Sequence, residues 1–221
     1  MTECKHCQGT GWVLYQRNEK EFAKECTCTK NKLRNKIIPR KFRNQWDPSG
    51  YTQNWMQITD FFLKSDSSVV STLVLWGLTG RGKTRLAYKI LDTWATNYGS
   101  FRDVEFIKTT ELHRNLYLAL RGGFSVEENQ RVIDNLKTAK LLVIDDFWCS
   151  PETTDVNFIK KFNDLLDQVR AEKIMITINL NPKEYIGIDT ALSRIKENAM
   201  ILEMKGCDRR EEFGLEKIRM G

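Results

Sequence analysis

Residues 77–84, GLTGRGKT, set glycines, a lysine and a threonine in the spacing G-x-x-x-x-G-K-[ST]. A loop of this kind lets backbone N–H groups curl around phosphates at the start of a helix, where the helix dipole favours anions. Gly77, Gly80 and Gly82 permit the tight backbone, Lys83 reaches toward β- and γ-phosphates, and Thr84 offers a hydroxyl to Mg2+. Leu78, Thr79, Arg81 and Arg85 complete the set expected to surround the phosphates, Arg81 touching either a phosphate or a neighbouring subunit. A second acidic element, LLVIDD at 141–146, fits the same chemistry. Asp145 closes an apolar run and suits Mg2+ held through its water shell, and Asp146 is placed to orient an attacking water. Two aspartates at a strand end are often only caps, but beside a phosphate loop they complete a nucleotide site.

The other chemistry-bearing group lies at the start of the chain. Cys4 and Cys7 form a C-x-x-C pair, followed by Gly9 and Gly11, and Cys26 and Cys28 form a C-x-C pair. Four thiolates in two close pairs suit tetrahedral zinc, and a segment this short has no apolar core, so the metal would supply its folding energy. His6 is an alternative ligand to Cys7. Cys149, Cys207 and His113 read as two free thiols and a helix-surface residue.

These residues need elements to hold them. STLVLW, DVEFIK, KLLVID, KIMITIN and MILEMK read as strands. They alternate with helices expected over 83–98, TTELHRNLYLAL, about 125–137 and TTDVNFIKKFNDLLDQVR, whose apolar residues recur at helical spacing. Alternation of this kind predicts an α/β fold, with a mainly parallel sheet covered on both faces. Tyr51, Trp55, Ile58 and Phe62 share one helical face and read as packed against that core. The expected organisation is a zinc segment over 1–30, a basic linker over 31–50 and a nucleotide-binding core over 51–221.

Composition limits the possible partners. The net charge is +6, and residues 1–43 alone carry eleven Lys/Arg against four Asp/Glu. Residues 30–43 hold seven basic side chains and no acid, which is either a solvated linker or a contact for nucleic acid or an acidic protein surface. No long apolar run suggests a membrane span and no apolar leader precedes Cys4, so a cytoplasmic location without disulfides is expected.

GLTGRGKT, LLVIDD, TINL and ALSRI, in this order, resemble the AAA+ ATPases. The likeness is greatest to the DnaC/DnaI-like replicative helicase loaders and the related IstB-type transposition ATPases. IIPRKF, MKGCDRR and the CKHCQGTGW…CTC start resemble stretches of that group, and the small size and cysteine pairs suggest a phage or bacterial chain. The resemblance implies a three-layer P-loop core and places ATP or ADP in the site. It makes Asn179 the sensor that positions water, Arg194 the arginine finger reaching a neighbouring subunit's ATP, and Arg209 or Arg210 a second phosphate sensor. It further implies a replicative helicase hexamer and single-stranded DNA as partners, and self-assembly with nucleotide at the subunit interfaces. The alternatives are an IstB-type DNA-remodelling ATPase and a nucleic-acid-binding module with a passive nucleotide site. A small-molecule kinase would need neither a finger in trans nor a zinc arm.

Two departures from the family pattern matter. Asp146 stands where most AAA+ proteins carry Glu, and an arm shorter by about an ångström is expected to slow hydrolysis about a hundredfold. Fourteen residues follow Cys207, so the C-terminal lid domain is expected to be missing, as in the DnaC-like loaders.

Overall fold

Five short strands form the central sheet: β3 (Thr72–Trp76), β4 (Val104–Lys108), β5 (Leu141–Phe147), β6 (Lys173–Ile178) and β7 (Ala199–Glu203). The computed structural model describes residues 4–43, 54–121, 126–147, 156–179, 181 and 198–206. The strand order is β4-β5-β6-β3-β7, and every pairing is parallel. Parallel strands buried on both faces read as near-continuous apolar runs, as the inner strands β3, β5 and β6 do, whereas the edge strands β4 and β7 are only partly buried.

Side-chain alternation divides the core in two. Leu73, Leu75, Leu141, Val143 and Met175 pack on one side against α3 (Trp55–Lys64) and α4 (Lys83–Asn97). Val74, Leu142, Ile144, Ile176 and Ile178 pack on the other against α5 (Thr109–Arg121), α6 (Val126–Thr138) and α7 (Val156–Leu166). Phe62, Leu86, Ile90, Phe158 and Phe162 are fully buried in these layers. Each such side chain contributes about 1.5–3 kcal/mol relative to exposure. The result is the expected three-layer α/β P-loop core. His113 departs from expectation: it is half-buried, its ring 4.5 Å from Tyr117 and 5.2 Å from Phe158.

The N-terminal part begins with a hairpin, β1 (Trp12–Arg17) and β2 (Lys20–Glu25), joined through Asn18 and Glu19 at φ 51° and 59°. Two left-handed residues make the tight turn whose twist matches the strands. Next come α1 (Thr27–Ile37) and α2 (Arg40–Arg43). This corrects the expectation of a basic linker from residue 31, because residues 31–37 and 40–43 are helical and docked on the core. Ile38 is 1% exposed, and Leu33, Ile37 and Phe42 pack against the α3/α4 layer. Arg34 grips Asp92 of α4 with two hydrogen bonds of 2.7 and 2.8 Å, and the Phe42 ring stacks on Tyr88 at 4.8 Å. Seven cations mask four apolar residues in the sequence pattern, and their long stems leave the charged heads in water.

Among the described residues, no helix is long and apolar enough to cross a membrane. Tyr51, Cys149, Arg194, Cys207, Arg209 and Arg210 lie outside the described residues.

Candidate functional site

The phosphate loop links β3 to α4. Gly77, Gly80 and Gly82 all have left-handed φ, at 139°, 87° and 87°, a region that favours glycine. Gly77 has a second constraint: a Cβ there would sit 2.7 Å from the Met204 carbonyl oxygen. That strand tail cannot retreat easily, because the Met204 N–H donates to the Trp76 carbonyl at 2.7 Å. Lys83 opens α4 and is 5% exposed. Its ammonium donates to the carbonyls of Gly77 (2.6 Å) and Leu78 (3.0 Å), so it spans its own loop where a phosphate would compete for it.

Strand order decides what faces this loop. β6 lies between the loop strand β3 and the acid-bearing strand β5. The C-terminal ends of all three strands therefore converge, as is general for ligand crevices in open α/β sheets. The cavity there has a volume of about 350 Å³ and is lined by Thr79, Gly80, Gly82, Lys83, Thr84, Arg85, Asp146 and Asn179, with Lys41 and Phe42 from α2. Gly77, Leu78 and Arg81 do not line it; the Leu78 side chain is 65% exposed.

Asp145 lies behind the cavity wall, 1% exposed. Its carboxylate accepts from the Thr84 hydroxyl at 2.9 and 3.2 Å and from the Thr177 hydroxyl at 2.7 Å. Burial pushes its pKa above the ordinary carboxylate value and neighbouring Asp146 adds to this, while the Thr177 and Thr84 hydroxyls and Lys108 oppose it. A desolvated carboxylate beside a hydroxyl is a natural seat for a small divalent cation. With Asp145 2.9 Å from the Thr84 hydroxyl, a Mg2+ bound to that hydroxyl would have the carboxylate within reach of its water shell, so the pair fits the ion. Asp146 breaks the ladder: pairing between β5 and β6 shifts register between Ile144 and Phe147, and Asp146 takes φ 56°. Its N–H donates to the Thr177 hydroxyl at 2.9 Å, and Asp146 lines the cavity.

The four N-terminal cysteines also converge. All four Sγ atoms lie within 4.8 Å of one another, with Cys4–Cys26 at 3.8 Å and Cys7–Cys28 at 3.4 Å. Sulfurs about 2.3 Å from a tetrahedral zinc would be about 3.8 Å apart, so the thiols fit that metal. Backbone N–H groups of His6 and Cys7 bring the Cys4 thiol down to about 6, whereas hydrogen bonds shared with Cys7 and Cys26 push Cys28 up to about 12. Gly11, at φ 81°, allows the two halves to meet; a Cβ would fall 2.9 Å from the Thr29 hydroxyl. His6 is exposed and outside the four-thiol group.

No curated protein matches the chain in sequence. The sequence profile of the bacterial DnaA ATPase domain, however, matches residues 62–202, from the end of α3 into β7. The chain belongs to that family. The match spans the phosphate loop, the acidic pair, Asn179 and Arg194, and leaves the cysteine segment outside. Among solved structures, the chain is similar to AMPPCP-bound DnaA from Aquifex aeolicus, with a TM-score of 0.59 at 17% identity over 84% of this chain and 56% of that one. It is similar to DnaI (TM-score 0.58, 19% identity, 79% of this chain and 95% of that one). It is also similar to the DnaC helicase loader (TM-score 0.56, 19% identity, 75% and 99%). These likenesses establish a shared AAA+-type fold, and the chain spans just over half the length of the DnaA chain.

Sequence reasoning missed three residues of this ATPase-family site. Lys41 and Phe42 belong to IIPRKF, which has the look of the family but no spacing that points to a pocket. Thr177 reads as an ordinary β-former within KIMITIN, although a hydroxyl in an apolar strand two residues before Asn179 is a usable signal. It ties the side chain of Asp145 to the backbone of Asp146. Thr177→Val is therefore expected to lower ATP turnover on the order of tenfold to a hundredfold by misplacing both acids. Nucleotide affinity should stay within about threefold, and Thr177→Ser should restore turnover. Steady-state kinetics beside a binding titration separates the two quantities, and unchanged turnover in the valine variant would remove the positioning role.

Proposed function

We propose that this chain is an ATP-dependent loader of a replicative helicase, acting on single-stranded DNA at the start of DNA replication. The observation that carries this reading is the pairing of a phosphate-loop cavity with a fold matching 95% of the DnaI chain and 99% of the DnaC helicase loader chain. Membership of the DnaA ATPase-domain family supports ATP as the nucleotide.

Each residue then has a role. The backbone of Gly80 and Gly82 and the side chains of Thr79, Lys83 and Arg85 hold the phosphates. Lys83 leaves the Gly77 and Leu78 carbonyls to do so. Thr84 and Asp145 hold Mg2+, which when bound would neutralise charge on the β- and γ-phosphate oxygens. Asp146 and Asn179, on the same cavity wall, orient the attacking water. The short Asp146 arm favours slow turnover, suited to a switch. Arg194 is the finger supplied to a neighbouring subunit, which couples turnover to assembly. Arg209 or Arg210 would sense the γ-phosphate, and the cysteine segment would bind zinc and hold the helicase.

The test is the mass of a mixture with a bacterial replicative helicase hexamer, measured by light scattering with and without ATP. A comparison chain lacking residues 1–26 leaves α1 and α2 on the core. A complex that needs both the N-terminal segment and nucleotide is expected. No complex under any condition would overturn the loader reading and leave an ATPase with another client.

A further inference from the structure

The two faces of the N-terminal hairpin differ in charge. Opposed residues share a face, and successive residues alternate. The pairs Val13–Lys24, Tyr15–Phe22 and Arg17–Lys20 therefore make one face, with three cations, two aromatic rings and no acid. The pairs Trp12–Glu25, Leu14–Ala23 and Gln16–Glu21 make the other, with two acids and no cation. The acidic face is anchored at its open end, where Glu25 accepts from Arg102 of the core at 2.9 Å and lies 3.4 Å from the Ser100 hydroxyl.

The basic face is open. Tyr15 and Phe22 are each 42% exposed, with centroids 5.7 Å apart and planes 26° from parallel. The Lys24 ammonium stands 5.6 Å from the Tyr15 ring centre. Trp12 gives the acidic face a ring of its own, but the aromatic pair is on the basic face, and a pair that steadies a hairpin does not explain why all three cations flank it while both acids lie opposite. A protein partner favours a contact core poor in charge. Exposed rings set among cations are the chemistry of single-strand recognition, with bases stacked on the rings and phosphates on the cations.

We propose that the Tyr15–Phe22 face of the hairpin binds single-stranded DNA, the two rings stacking bases and Arg17, Lys20 and Lys24 holding phosphates. The choice of DNA over RNA rests on the loader reading; the face itself does not. The Trp12–Leu14 face stays available to a protein.

The test is fluorescence anisotropy of a labelled oligo-dT with the full zinc-loaded chain, over a range of salt. Tyr15→Leu with Phe22→Leu keeps apolar strand residues and removes the stacking surfaces, and should weaken binding at least about tenfold. Arg17→Gln, Lys20→Gln and Lys24→Gln together should lower the slope of log affinity against log salt by about 2, from about 0.7 per phosphate contact. Zinc content and ATP affinity should not change in either variant. Unchanged DNA binding in both variants, with zinc retained, overturns the proposal. So does loss of the helicase complex in place of DNA binding, which would assign the face to a protein, and so does tighter binding of oligo-rU than of oligo-dT. Failure of the loader reading is separate: it would appear as no helicase complex while oligo-dT binding still depends on this face.

Discussion

Lys83→Ala is expected to abolish ATP binding, with affinity reduced more than about a hundredfold and the fold retained. Lys83 is the cavity-lining lysine that belongs to the phosphate loop, and its ammonium is already desolvated, donating to the carbonyls of Gly77 and Leu78. At that depth its attraction for a phosphate is screened far less than at a surface. Its loss removes a buried positive charge from the loop and shifts the balance of the cavity toward the negative charge of Asp145 and Asp146. The loop itself should persist. Its shape is set by the positive φ of Gly77, Gly80 and Gly82, and by Gly77 and Met204 hydrogen bonding to the neighbouring strands at 3.2 and 2.7 Å. Titration with a fluorescent ATP analogue, beside circular dichroism to confirm folding, checks this. Normal affinity in a folded variant would remove the phosphate-loop assignment.

Much of this site was legible in the sequence because its parts are local. A strand, a glycine loop and a helix follow one another without a break from residue 72 to 97, so spacing alone places Lys83 and Thr84 at a helix start. The acidic pair was legible for the same reason, at the end of an unbroken apolar run. Parts that depend on pairing across the sheet were not. Thr177 acquires its role only because β6 lies between β3 and β5, and strand order is not written in any one segment. The turned backbone of Asp146 likewise arises from a register break with β6. The docking of α1 and α2 was hidden for another reason. Cations dominate residues 30–43, whereas the contacts that count are Arg34 with Asp92 and Phe42 with Tyr88, separated by 58 and 46 positions in the chain. Charge run as solvated linker is a reasonable prior, and here tertiary packing overrides it. Leu33 and Ile37, four residues apart, were the helical signal beneath the charge.

Replacing Cys4 and Cys7 together by serine is expected to empty the cysteine cluster of zinc and unfold the hairpin, while leaving ATP binding intact. From residue 4 to residue 37 the buried positions are Cys7 and Cys26 alone. Trp12, Leu14, Tyr15 and Phe22 are all more than 40% exposed, so no apolar core holds β1 to β2. An isolated two-stranded hairpin is at best marginally stable in water. The ion pair of Glu25 with Arg102, whose own side chain is 54% exposed, adds at most about 1 kcal/mol. Structural zinc, by contrast, contributes about 10–16 kcal/mol of apparent binding free energy in small metal-folded units. A zinc held by the four thiols would therefore decide whether this segment keeps its structure. The nucleotide cavity draws its residues from α2 onward, and α1 and α2 are fastened to α4 independently of the cysteines. Elemental analysis should find one zinc per wild-type chain and none in the double variant. Limited proteolysis should then cut between residues 12 and 25 in the variant only. Zinc retained in the variant would move the ligand set elsewhere, and a protease-resistant hairpin without metal would show that the strands hold themselves.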